Sequence, residues 1–240
     1  MSNQRANADD NPFDPQDPTN PAKAPRPKDA ATLILLRRAR GEVQVLMGQR
    51  AKGHVFMPDK WVFPGGRLDP ADGAAPAATE LAPETDAKLR LHSPSRKPRA
   101  FALAAVRETF EEAGLIVGRR GAVTGKAPGP WRPYIEQDAA PELHKLTFIC
   151  RAITPPYRPK RFDARFFMAD AEDVLLDDRP ITGDAELLHT EWFSLDAAET
   201  LDLPSVTRFV LGEVRARLRG EALAPAYLRW TRAGHAMDRL

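Results

Sequence analysis

The 240-residue chain carries 35 basic and 33 acidic side chains, and its 42% of hydrophobic residues is enough for one core. The near-balance, +2 in all, gives no footing for a nucleic-acid partner. No apolar run approaches the ~20 residues of a membrane helix, so no membrane partner is expected. The lone Cys150 excludes a disulfide framework and any paired-cysteine metal site. With no secretory pattern at the N-terminus, a cytoplasmic single-domain protein is expected.

Residues 1–28 hold six prolines among Asn, Asp, Lys and Gln. Such a segment buries too little to offset its ordering entropy, so 1–28 reads as a disordered tail and 29–240 as the folded domain. Order is expected to begin near Ala31. Strands are expected over 32–38 and 43–48, with Arg40-Gly41 as the hairpin turn. A short strand over 61–63 stops at Pro64-Gly65-Gly66. The stretch 73–99 is Pro- and Ala-rich and reads as an insertion, with a short helix over 83–91. A helix follows over 100–113, then strands over 146–149, 165–168 and 190–194. A short helix starts near Asp196, and an amphipathic one spans 205–219. In the latter Ser205 is the expected N-cap, with Val206, Phe209, Val210 and Val214 on one face. Strands mixed with helices around an antiparallel hairpin predict an α/β (α+β) fold with a mixed sheet.

The chemistry concentrates in Arg107-Glu-Thr-Phe-Glu-Glu-Ala-Gly-Leu115. At ~100° per residue, Glu108, Glu111 and Glu112 share one face of a helix, and Leu103, Val106, Phe110 and Ala113 share the opposite one. Such a face can simply be solvated. Like charges at these spacings, however, cost roughly 0.2–0.5 kcal/mol per pair. Glu111 and Glu112 also lie in the last turn before Gly114, at the negative end of the helix dipole, which costs about 0.3–1 kcal/mol. A bound cation removes both penalties. Oxygen donors without Cys or His favour Mg²⁺ or Mn²⁺, and a carboxylate-held Mg²⁺ points to phosphoryl chemistry.

Phe63-Pro64-Gly65-Gly66 followed by Arg107-Glu-x-x-Glu-Glu-x-Gly-Leu resembles the Nudix hydrolase signature. Two departures stand out. The acid that follows Gly66 after five intervening residues is Asp72 rather than Glu, and 34 residues separate it from Arg107 where the signature has seven. Asp72, Glu80, Glu84 or no residue at all therefore remain open as the first acid. Thr109 stands at a usually apolar position, where a hydroxyl can bond locally. The resemblance implies an α/β/α sandwich and a Mg²⁺-dependent (or Mn²⁺-dependent) hydrolase of a small nucleotide-type diphosphate. In it Glu108, Glu111 and Glu112 would be metal ligands, with Gly66 beside the metal and Arg107 orienting the glutamates. Glu186, on the loop before Trp192, would be a further acid; whether Glu108 or Glu186 is the general base stays open. A homodimer is a family expectation. The alternatives are a catalytically silent Nudix-fold module and an RNA-end pyrophosphohydrolase.

Arg50, Arg67, Arg161 and Arg165 are candidates for neutralising substrate phosphates, although arginines more often form surface ion pairs. Trp61, Phe56 and Phe167 could stack on a base or pack in the core. Cys150 reads as a buried small hydrophobe. The interrupted signature, together with residues 56–73 and 154–167, is similar to the branch of long Nudix proteins that includes a peroxisomal coenzyme A diphosphatase. That similarity implies a coenzyme A or acyl-CoA substrate. The insertion is expected near the mouth of the site, shaping substrate choice.

Overall fold

In the computed structural model, residues 25–52, 58–92, 98–121, 127, 129–182 and 186–240 are described. Its organising strand is β1 (Lys28–Ala39), whose Leu33-Ile34-Leu35-Leu36 run is buried on both faces, as a central strand requires. Arg40 and Gly41 both take positive φ, 53° and 80°, the conformation of a tight hairpin turn into β2 (Glu42–Arg50). Next come β3 (Trp61–Val62), β4 (Gly65–Arg67) and a single 3₁₀ turn at Asp72–Ala74. The insertion contributes α1 (Pro83–Arg90), and α2 (Pro98–Ala113) follows. A side ribbon pairs β5 (Gly118–Arg120) with β6 (Ala139–Pro141) around α3 (Arg132–Ile135). The chain continues through β7 (Thr147–Ile153), β8 (Phe162–Asp170), α4 (Ala171–Val174) and β9 (Leu187–Ser194). It ends with α5 (Leu195–Thr200), α6 (Ser205–Leu218) and the hairpin β10 (Ala226–Thr231) and β11 (Gly234–Arg239).

The main sheet runs in the order β11-β10-β7-β8-β1-β2-β3, with β4 also paired to β1 and β9 to β2. It is mixed: β1/β8 and β7/β10 are parallel and the other pairs antiparallel. Ala31, Leu33 and Leu35 face α2, while Ile34 and Leu36 face α5 and α6. Alternation along one strand thus feeds two cores, the α/β/α layering expected from the sequence.

Several expected boundaries move. The first strand starts at Lys28 instead of near Ala31, because Lys28–Leu36 pairs with β8 and Arg161 donates to the Pro25 carbonyl. Residues 25–28 are therefore docked and not part of a loose tail; 1–24 lie outside the described residues. Pro204, not Ser205, precedes the last helix, and no side chain caps it. The C-terminal hairpin was not expected: its strands are short and little buried, so the period-2 signal is weak.

Candidate active site

α2 ends in the conformation that its sequence dictates. Gly114, at φ 70°, closes the helix with its N–H on the Phe110 carbonyl. The Thr109 hydroxyl bonds the Ala105 carbonyl, one turn back. The carboxylate face is only partly solvated: Glu111 is exposed, Glu108 half-buried and Glu112 buried. β4 pairs with β1 (Thr32↔Gly65, Ala31↔Gly66) and lays the glycine loop against this face. Glu112 is buried and accepts a 2.7 Å hydrogen bond from the Gly65 N–H. A Cβ on Gly66 would overlap the Glu108 carboxylate, so only glycine allows this approach.

Arg107 ties the group together. Its Nη1 donates to Glu108 and to Glu111, both at 2.8 Å, and its Nη2 to the Arg67 carbonyl. Nε and Nη2 grip Asp72 at 2.9 and 3.1 Å. Asp72, fully buried, also accepts from Trp131 Nε1 and the Asp69 N–H. This settles the geometry of the interrupted signature: Asp72 holds the arginine. Glu80 instead pairs with Arg99, and Glu84 with Lys88. Of the candidates for the first acid, Asp72, which the five-residue spacing from Gly66 favours, is the one at the site. Trp131 was missed, and nothing in the sequence pointed to it.

Burial, reinforced by the charges of Glu111 and Glu186 and opposed by Arg107, pushes the Glu108 carboxyl up to about 7. For Arg107 burial works against the charge, but the bonds to Asp72 and the Glu108 charge outweigh it and hold the pKa above its ordinary value. Arg50 is lowered by burial, which the charges of Glu112, Glu186 and Glu108 partly offset. Glu186 is placed beside it by a bond from the Ala51 N–H to the Glu186 carbonyl.

The structure therefore brings together Glu108, Glu111, Glu112, Glu186, Arg107, Gly66 and Arg50. Arg67 contributes its carbonyl, and its side chain is exposed. Arg161 and Arg165 are not brought to the cluster. Arg161 binds the Thr154 and Pro25 carbonyls. Arg165 is buried on the α2 side of the sheet, paired with Asp163 and stacked 4.1 Å over Phe101, where it closes a core ion network with Arg151. Phe167 is core, Trp61 packs edge-on to Phe193, and Phe56 lies outside the described residues. Cys150 is buried, its thiol pushed up to about 12 by burial.

The all-oxygen donor set suits a hard divalent cation, and Gly66 keeps the space beside Glu108 clear. Among the described residues no three acidic, His or Cys side chains converge on one point: Glu108 and Glu111 are turned onto Arg107, and Glu112 onto Gly65. A cleft of about 500 Å³ opens from Arg50, Gly65 and Gly66 and runs between the sheet and the start of α6, past Phe166 and Val206 to Leu228. None of the described residues of the insertion lines it, contrary to the expectation that 73–99 borders the mouth. Among the described residues no helix is long and apolar enough to cross a membrane.

Comparison with known proteins agrees with this fold. The crystal structure of a NUDIX hydrolase from Alicyclobacillus acidocaldarius superposes with a TM-score of 0.59 at 28% identity, covering 78% of this chain and 90% of that one. In fold and in its signature residues the chain is similar to Nudix hydrolases. It is similar to the human acyl-coenzyme A diphosphatase NUDT19, at 29% identity over 75% of this chain and 57% of that protein. It is also similar to the putative nudix hydrolase 7 of Caenorhabditis elegans, at 31% identity over 64% of this chain and 46% of that protein. The chain thus spans about half the length of the curated relatives it matches. No family model matches it.

Proposed function

We propose that the protein is a Mg²⁺-dependent hydrolase that cleaves the diphosphate of a coenzyme A-type nucleotide. The observation that carries the reading is the Arg107-centred cluster: three glutamates at the end of a helix, facing a glycine loop and Arg50. The relatives named as acyl-CoA diphosphatases support the substrate class.

Glu108, Glu111, Glu112 and Glu186 would hold the metal. When bound, Mg²⁺ supplies charge neutralisation at the diphosphate and lowers the pKa of water. Arg107 fixes Glu108 and Glu111, and Gly65 fixes Glu112, so two of the acids share one rigid donor and the third is set by the backbone. Arg50 would neutralise a phosphate oxygen. In hydrolysis a water oxygen bonds to one phosphorus as the bridging P–O bond breaks. The departing phosphate takes that electron pair, and the water proton passes to a carboxylate. Glu108 or Glu186 would accept that proton.

The test is product analysis by mass spectrometry after incubation with Mg²⁺ and coenzyme A, acyl-CoA, ADP-ribose, NADH, diadenosine polyphosphates and nucleoside triphosphates, with EDTA controls. Metal-dependent release of 3′,5′-ADP from a coenzyme A compound is expected, and its absence while another diphosphate is cut would reassign the substrate. Glu111→Gln and Glu112→Gln should each lower kcat by at least tenfold with the fold intact. Wild-type turnover in both would remove the metal assignment.

A further inference from the structure

The chain that leads to Glu186 is fastened to the end of α2. After α4 it runs back against the segment that leaves that helix. Leu175 bridges to Val117, and the Leu176 N–H bonds the Ile116 carbonyl at 2.9 Å. The Thr182 N–H then bonds the Ala113 carbonyl at 3.0 Å, satisfying an acceptor that a helix end leaves without an intrahelical donor. Ala113 is the residue after Glu112, so this bond lies at the edge of the carboxylate face. On the other side of Glu186, the Ala51 N–H holds the Glu186 carbonyl at 3.1 Å. Glu186 thus belongs to a short connection fixed at both ends, of which 183–185 lie outside the described residues. The four steps from Thr182 to Glu186 extend to about 14 Å at most, so the Thr182 anchor limits where that acid can stand.

We propose that Gly114 is a positioning residue of the carboxylate cluster: the space it leaves at the end of α2 admits Thr182, and this docking sets Glu186 against Glu111 and Glu112 for a shared divalent cation. The proposal rests on the metal-dependent reading above. Gly114 meets two separate demands. Its positive φ ends the helix, a task that asparagine also performs. The second demand only glycine meets. A Cβ at 114 would overlap the Thr182 Oγ1 and stand 3.2 Å from the Thr182 Cβ. The hydroxyl has little freedom to turn aside, because threonine is branched at Cβ. The alternative is to push the Thr182 backbone off the Ala113 carbonyl, and a shift there passes along the chain toward Glu186. That acid stands within the field of the cluster, since its charge acts on both Glu108 and Arg50.

The experiment titrates the full chain with Mn²⁺, followed by electron paramagnetic resonance, with circular dichroism as the check on folding. Gly114→Ala should weaken Mn²⁺ binding about tenfold, the scale on which groups that orient a metal ligand act. Thr182→Ala removes the obstructing hydroxyl but keeps the backbone bond, so alone it should bind within about twofold of wild type. Combined with Gly114→Ala it should recover most of the loss. In a Glu186→Gln background Gly114→Ala should cost nothing further, because the acid it positions is already gone. Three results would overturn the proposal and leave the metal reading standing. The first is wild-type binding by Gly114→Ala. The second is a double variant as weak as Gly114→Ala, which would assign the loss to backbone strain at the helix stop. The third is an undiminished tenfold loss in the Glu186→Gln background, which would assign it to Glu111 and Glu112 alone. A wild-type protein that takes up no Mn²⁺ would refute the metal-dependent reading, and this proposal with it.

Discussion

Replacing Asp72 by Asn tests whether the interrupted signature is held together in space. The carboxylate is 0% exposed, and every group that bonds it is a donor: Arg107 Nε and Nη2, Trp131 Nε1 and the Asp69 N–H. Asparagine keeps the shape but turns one acceptor into an NH₂, which must then face one of those donors whichever way the amide is turned. It also leaves Arg107 without its bidentate counter-charge. Breaking a buried pair costs about 3–5 kcal/mol. Because Arg107 keeps Glu108, Glu111 and the Arg67 carbonyl, about 3 kcal/mol is the appropriate end of that range. At roughly 2–4 °C per kcal/mol for a chain of this size, Asp72→Asn should melt about 6–12 °C below wild type. Thermal unfolding followed by circular dichroism in EDTA measures this. Glu80→Gln is the control: its pair with Arg99 is exposed, and its loss should move Tm by under ~2 °C. An Asp72→Asn protein melting within 2 °C of wild type would refute the claim that this pair supports the helix.

Gly66→Ala places a methyl against the Glu108 carboxylate, the far end of a flexible side chain. Turnover should fall at least tenfold while stability changes by under ~1 kcal/mol, and unimpaired kcat would show that the close approach is dispensable. Trp131→Phe keeps a ring against Tyr134 but removes a donor from Asp72, so a loss of about 1–2 kcal/mol is expected; an unchanged Tm would count against the bond. The Glu108 carboxyl, raised from the ordinary range to about 7, makes the native state bind an extra proton between about pH 4.5 and 7. Metal-free protein should therefore be most stabilised by this group below that window and lose up to roughly 3 kcal/mol as pH rises through 7. Urea unfolding across pH in EDTA should show the slope and Glu108→Gln should flatten it, whereas a slope of the opposite sign would contradict the burial.

The parts of the fold legible in the sequence were those whose local pattern agrees with their tertiary role. The Leu33–Leu36 run, the Arg40-Gly41 turn and the Gly114 stop each carry a mechanism within a few residues. The glutamate face of α2 was legible too, because its spacing conflicts with helix electrostatics. Illegible features depend on pairing partners far along the chain. Lys28–Ala31 has little intrinsic strand preference and is extended because β8 and β4 flank it. The alanines at 30, 152 and 164 look unremarkable singly and come together in the cleft only when three strands fix their register. Arg165 resembled a phosphate ligand in sequence because nothing local reveals that Asp163 and Phe101 enclose it.

The insertion shows why a motif can be broken in sequence and intact in space. The chain departs immediately after Asp72 and returns at Pro98, two turns ahead of Arg107, so neither half of the Asp72–Arg107 pair is displaced. Lengthening the connection from seven residues to 34 costs only about 1.4 kcal/mol of closure entropy, which grows logarithmically. The described part of the insertion offsets this by itself. Leu89 is buried against the core around α2, worth about 1.5–3 kcal/mol. The Thr85 hydroxyl bonds the Leu146 carbonyl, and Ala78 and Thr79 bond Pro141 and Leu143 next to the β6 strand. A segment that anchors itself on the far side of α2 needs no role at the cleft to be retained. Its position against α2 and β7 accounts for its absence from the cleft wall among the described residues.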